Sequence, residues 1–210
     1  RQTQGIDALV VACNTATALA IDGLRTRHAD LPIVGVEPAV KPAIELSASG
    51  HVGVLATRGT LGSERYAALR RRLEAAAPRA LHIHDQPCDG LAGAIERDDT
   101  ATIQTLGQRY VDTVRQAAPG LDTLVLGCTH YPFAADVLQQ AAGPGVRLVD
   151  TGEAVARRTR HVLQMDTATP GHPLHAESAL LTTGDADALT AAAHRWLGWH
   201  GQARQVVVPD

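Results

Sequence analysis

The chain has 210 residues, 45% of them hydrophobic and 20% charged, enough for one large domain or two small ones that each bury a core. Lys+Arg 19 against Asp+Glu 22 leaves a net charge of -3, and aromatics make up 3%, which excludes a basic, base-stacking nucleic-acid surface. No stretch approaches the roughly 20 apolar residues of a membrane span and no basic-then-apolar leader is present, so a cytoplasmic enzyme or binding protein is expected. The sequence starts at Arg1 without an initiator Met, shortly before a strong strand, and reads as a piece cut from a longer protein.

Apolar runs of four to six residues alternate with longer amphipathic stretches along the chain. The pattern predicts a strand over 8–12, a helix over 15–27, a strand over 33–36 and a helix over 38–49. It continues with a strand over 51–56, a helix over 61–76 and a strand over 80–84. A helix over 101–117, a strand over 124–126, a helix over 131–142 and a strand over 146–149 follow. A helix over 153–165, a strand over 179–182 and a helix over 186–197 close the list of elements. In the 61–76 segment Leu61, Ala68, Leu69 and Leu73 recur near a 3.6-residue period and turn Arg70–Arg72 outward. The Gly/Pro-rich stretch 167–175 reads as an exposed loop whose His172 and His175 have nothing nearby to complete a metal site. Alternating short strands and helices specify an α/β fold with parallel sheets covered on both faces.

Three widely spaced cysteines, Cys13, Cys88 and Cys128, make a poor disulfide framework, and no CxxC pair suggests zinc or a dithiol redox site. Residues 7–13 read DALVVAC and residues 122–128 read DTLVLGC. In both, an Asp precedes a Cys by six residues, aliphatic residues lie between, and small polar residues and a helix follow. Two such units imply two similar halves, each offering a thiol from the C-terminal end of a strand, where open α/β sheets bind ligands. At a strand-to-helix junction, unpaired N–H groups and the helix dipole favour the thiolate. Cys88, in a Pro/Gly turn (DQPCDG) without a base beside it, reads as a buried structural thiol. His130, two residues after Cys128, is placed to exchange or stabilise a proton.

Two thiols in matching halves suit racemisation, which removes a proton from one face of a carbon and returns one to the other. A thiol's ordinary pKa lies within about two units of neutrality, so one member can be charged while the other is protonated. The carbanion formed beside a carboxylate requires pre-placed donors in a water-poor cleft.

The segments VVACNTATA (10–18) and LVLGCTHYPF (124–133) resemble the two signature segments of the glutamate racemase family, within the cofactor-independent aspartate/glutamate racemases. GVEPAVKPA (35–43), VGVLATRGTLGSERY (52–66) and LVDTGEAVA (148–156) agree in order, so the similarity runs over nearly the whole chain. Aspartate racemases of the group tend to carry Glu after the second Cys-Thr; here that residue is His130, which favours glutamate. The resemblance implies two similar doubly wound, flavodoxin-like domains with the active site in the cleft between them, formed by 1–36 plus 151–210 and by 37–150. It implies no cofactor and no metal, Cys13 serving the D-enantiomer and Cys128 the L-enantiomer, and His130 assisting Cys128. Asn14, Thr15, Thr57, Thr60, Thr129 and His130 would hold glutamate. Glu96 matches an acidic residue the family places near Cys128, an exposed helix-end Glu being the alternative. Supply of D-glutamate for bacterial peptidoglycan is the implied role, with a small-molecule substrate, no nucleic-acid or membrane partner, and a homodimer left open.

Family members carry Asp-Ser and Pro-Tyr-Gly segments upstream of the first cysteine, and this sequence starts after both. If these 210 residues were the whole protein, weak stability and impaired or absent catalysis would be expected; if they are a piece of a longer chain, full activity is the expectation. Other readings are a racemase for aspartate or another acid, a single-thiol hydrolase or transferase, and a truncated, non-catalytic glutamate-binding or interaction protein.

Overall fold

The structure is a computed structural model and describes residues 5–164 and 178–208. The 167–175 loop with His172 and His175 lies outside the described residues. The chain forms two compact units, Arg1–Met165 and Asp166–Asp210.

The first unit holds two parallel sheets. In the smaller, β1 (Leu9–Val11) runs beside β2 (Ile33–Gly35), with Leu9 opposite Ile33. Helix α1 (Asn14–Arg27) covers it, burying Ile21 with Leu31 and Ile33 against Leu9 and Val11. A Cβ on Gly35 would lie 2.6 Å from Thr17 Cγ2, so the helix packs this closely only over glycine. The Thr17 hydroxyl donates to the Val11 carbonyl at 3.1 Å and accepts from the Val36 N–H at 3.0 Å. It thereby pins the ends of β1 and β2 to the helix.

The chain then passes through α2 (Val40–Leu46) into β3 (His51–Ala56), α3 (Arg58–Leu61), α4 (Glu64–Ala76) and β4 (His82–Pro87). It continues with α5 (Leu91–Glu96), α6 (Thr100–Ala117), β5 (Thr123–Leu126), a 3-10 turn at Tyr131–Ala134, α7 (Ala135–Ala142), β6 (Arg147–Val149) and α8 (Gly152–Val162). The four strands are parallel in the order β4-β3-β5-β6. Val52, Val54 and Ala56 cluster with Ala43 of α2 and Tyr66 of α4 on one face. On the other face a Cβ on Gly53 would meet Val114 Cγ1 of α6 at 2.8 Å. The alternation of two is thus buried on both faces, which is why β3 and β5 read as unbroken apolar runs. At the far end of this sheet from the cysteines, His51 stacks on His82 with centroids 4.6 Å apart.

Sequence and structure part company where local chemistry interrupts a period. The 61–76 helix is two helices, because Ser63 caps a fresh start by accepting from the Tyr66 N–H. The strand expected at 80–84 runs over His82–Pro87. The 131–142 helix opens as a 3-10 turn at Tyr131-Pro132. Helix α5, six residues long, was missed because its LAGAI run is too short to show a period.

Asp122, the acid of the second echo, ties the start of β5 to the loop after α2. Its carboxylate accepts from Ser47 Oγ (2.6 Å) and from the Ala48 and Ser49 N–H groups (both 2.7 Å). Burial opposes the charge, but bonds from Ser47, Ser49, Thr123 and Ala48 outweigh it and hold the carboxyl at about 2. Its folded pKa is depressed, so its stabilisation is present above the unfolded carboxyl pKa and is lost as pH falls from about 4 towards 2. Asp122→Asn is expected to lower stability at neutral pH by about 1–3 kcal/mol. It should also flatten the loss of stability on acidification, measured by urea unfolding at pH 7 and pH 3; equal losses in both proteins would refute this role.

In the second unit β7 (Leu181–Thr182) pairs in parallel with β8 (Arg204–Gln205), and α9 (Ala186–Leu197) lies between them in sequence. Asp185 caps α9 by accepting from the Asp187 and Ala188 N–H groups, and Gly198 ends it in the left-handed region (φ 62). Among the described residues, no helix is long and apolar enough to cross a membrane.

Candidate active site

Both cysteines of the echo stand at the C-terminal ends of parallel strands, Cys13 after β1 and Cys128 two residues after β5. Both lie in the first unit. The Thr129 hydroxyl donates to the Ala12 carbonyl at 3.2 Å, joining the two cysteine-bearing loops across 117 residues of sequence. Gly127 makes the second loop possible, because a Cβ there would lie 2.9 Å from both the Leu55 carbonyl oxygen and Ala56 Cβ.

The two thiols sit in unlike surroundings. Cys13 is exposed and is itself the N-cap of α1, its sulfur accepting from the Ala16 N–H at 3.5 Å. Cys128 is 8% exposed. Burial pushes its thiol up, the peptide N–H groups of His130 and Tyr131 work the other way, and negative charge on Cys13 or Glu96 pushes it up again. Its sulfur lies 3.7 Å from His130 Nδ1, and His130 Nε2 lies 2.8 Å from Glu96 Oε1 at the end of α5. Cys128, His130 and Glu96 therefore form a line along which charge on the sulfur can be balanced by a protonated imidazole, itself oriented by a carboxylate. Glu96 is at a helix end and its side chain is 65% exposed, yet it reaches this line.

Two residues beyond Cys13, the Thr15 hydroxyl forms a triangle with those of Thr57 and Thr60, with sides of 2.8, 3.1 and 3.0 Å. Thr57 caps α3, and a Cβ on Gly59 would lie 2.8 Å from Thr15 Cγ2, so glycine permits the approach of α3 to α1. Asn14 is 4% exposed, and neither its Nδ2 nor its Oδ1 has a hydrogen-bond partner. A buried amide left unpaired costs about 1–3 kcal/mol, the mark of a group whose partner is a ligand or an ordered water.

Cys88 stands apart. It is 2% exposed, its Sγ–H donates to the Gln86 carbonyl at 3.3 Å, and burial pushes the thiol up to about 12. Tyr131, quoted in a motif but given no role by the sequence, is wholly buried behind Cys128, and its phenol donates to the Cys88 carbonyl at 3.4 Å. Among the described residues, no group of three His, Cys, Asp or Glu side chains is placed to hold a metal ion.

Two thiols at the carboxyl ends of parallel strands, a histidine–carboxylate pair beside one of them and a triangle of threonine hydroxyls make up the candidate site. The Asp/Glu/Hydantoin racemase family profile matches residues 1–159, and the chain belongs to that family. A glutamate racemase of Pseudomonas syringae pv. tomato is 50% identical over 162 residues, covering 76% of this chain and 57% of that protein. One from Stutzerimonas stutzeri is 46% identical over 183 residues, covering 87% and 63%. The chain thus spans about three-fifths of the length of these curated relatives. Among solved structures, glutamate racemase isoform RacE1 from Bacillus anthracis superposes with a TM-score of 0.79 at 29% identity, over 99% of this chain and 76% of that one. Escherichia coli glutamate racemase, in complex with L-glutamate and the activator UDP-MurNAc-ala, gives 0.75 at 29% identity, over 100% and 77%. The fold is that of these enzymes, α/β with parallel sheets.

Proposed function

We propose that the chain carries the two-base site of a glutamate racemase and interconverts L- and D-glutamate without a cofactor. The observation that carries this reading is the pair of thiols, one an exposed helix cap and the other in line with His130 and Glu96, on loops joined by the Thr129–Ala12 bond. Starting from D-glutamate, the Cys13 thiolate takes the α-proton and becomes a thiol. The electron pair left on the α-carbon is delocalised into the adjacent carboxylate, and the Cys128 thiol delivers its proton to the opposite face. L-Glutamate leaves, with Cys128 now the thiolate, and the reverse direction exchanges the roles. His130, held by Glu96, offsets charge on Cys128 when that thiol is ionised. Thr15, Thr57, Thr60, the Asn14 amide and Thr129 hold the polar ends of the substrate.

The same reading assigns 1–36 with 151–210 to one domain and 37–150 to the other. It makes the protein a cytoplasmic source of D-glutamate for peptidoglycan.

Polarimetry tests it. L- and D-glutamate solutions should both lose optical rotation, aspartate should keep it, and mass spectrometry should find no covalent adduct. Turnover of aspartate in preference to glutamate would reassign the substrate, an adduct would indicate single-thiol transfer, and glutamate binding without loss of rotation would indicate a binding protein. Cys88→Ser is expected to change the rate less than about threefold, since a buried thiol pushed up to about 12 cannot serve as base near neutrality. A tenfold loss in a folded Cys88→Ser protein would give that thiol a function.

A further inference from the structure

The segment from Gly127 to His130 belongs to no helix or strand, and the turn that follows is of the 3-10 kind, whose hydrogen bonds are poorly aligned. Something other than a backbone ladder must hold Cys128 in place. Tyr131 is 0% exposed, and a phenylalanine would fill the same space without burying a hydroxyl, which costs free energy unless it is bonded. The phenol donates to the Cys88 carbonyl at 3.4 Å and lies beside the Cys88 sulfur. Burial pushes it far up, so it stays a protonated donor.

The Cys88 carbonyl has a second visitor. The Leu91 N–H reaches it at 3.4 Å at the start of α5, and α5 ends in Glu96, which bonds His130. Cys88 is itself fastened to β3 by its N–H on the Ala56 carbonyl at 2.9 Å. Tyr131 closes its own turn through its N–H on the Cys128 carbonyl at 3.0 Å. One carbonyl at the end of β4 is thus the common post for both neighbours of His130, the thiol loop through Tyr131 and the carboxylate through α5.

We infer that Tyr131 is a positioning residue for the second thiol: its phenol pins the Cys128 turn to the Cys88 carbonyl and keeps the sulfur in register with His130 and with the surrounding peptide N–H groups. This rests on the reading of Cys128 as a base, but its test does not need glutamate. In Tyr131→Phe, the alkylation of each cysteine by iodoacetamide is followed against pH, with peptide mass spectrometry resolving the three sites. The midpoint for Cys128 should rise by roughly half a pH unit or more as N–H support is lost, while the Cys13 midpoint stays in place. In the racemisation assay kcat should fall several-fold with KM little changed.

An unchanged Cys128 midpoint in a folded variant would overturn the inference and leave Tyr131 a packing residue. Equal shifts at Cys13 and Cys128 would overturn it too, as would loss of the fold, since the hydroxyl is assigned to the turn and not to the core. A selective shift in a protein whose wild type does not racemise glutamate would support the pin and sink only the reading of Cys128 as a base.

Discussion

Cys13→Ser is expected to slow glutamate racemisation by about 10³-fold or more, and Cys128→Ser by as much, because in the proposed two-base reaction each thiol serves a face the other cannot reach. A positioned acid or base contributes about 10²–10⁴-fold, and a serine hydroxyl is far too weak an acid to replace a thiol near neutrality. The two single variants should nevertheless differ in what they retain. With Cys128 replaced, the Cys13 thiolate can still remove and return the α-proton of D-glutamate, giving solvent exchange without inversion; with Cys13 replaced, the retained exchange should be that of L-glutamate. Circular dichroism time courses measure inversion and proton NMR measures exchange. Wild-type racemisation in either single variant would remove that cysteine from the mechanism.

His130→Ala is expected to lower the racemisation rate by about 10²-fold, and Glu96→Gln by about tenfold. The imidazole is 3.7 Å from the Cys128 sulfur, whereas the carboxylate acts through the imidazole at 2.8 Å. Because the proposed mechanism has Glu96 work through His130, the double variant should be no slower than His130→Ala alone, a non-additivity expected of residues in one network. Full additivity in the double-mutant cycle would mean that Glu96 acts on the substrate or on Cys128 independently. The thermodynamic equality of the two directions requires both variants to lose kcat/KM equally for L- and D-glutamate, so directional differences should be sought in isotope exchange.

The strand–Cys–helix units were legible because a buried parallel strand and an amphipathic helix leave strong, different periods. What the echo could not convey was inequality. DALVVAC and DTLVLGC look alike, yet Cys13 is an exposed helix cap and Cys128 is buried. Likewise Asp122 accepts four hydrogen bonds from distant and neighbouring residues, an arrangement set by the loop after α2, 73 to 75 residues earlier. Burial depends on what packs from elsewhere in the chain, and no local window contains it. The Thr15–Thr57–Thr60 triangle was assembled from two motifs 42 residues apart, which the family resemblance supplied and spacing alone did not. Tyr131 carried no sequence signal beyond its place in GCTHYP, because an aromatic at a helix start is ordinarily core. The breaks at Ser63 and Pro132 were visible as residue types, but a capping serine and a proline in the first turn also occur within uninterrupted helical segments.

The central claim is proton abstraction from glutamate by Cys13 and Cys128. Incubation of L- and D-glutamate with the protein in deuterium oxide, followed by proton NMR of the α-position, tests it most directly. The α-proton signal of both enantiomers should disappear, that of aspartate should persist, and exchange should cease in the Cys13→Ser/Cys128→Ser double variant. No exchange from either glutamate enantiomer by the folded protein, or exchange that survives in the double variant, would contradict the two-thiol mechanism.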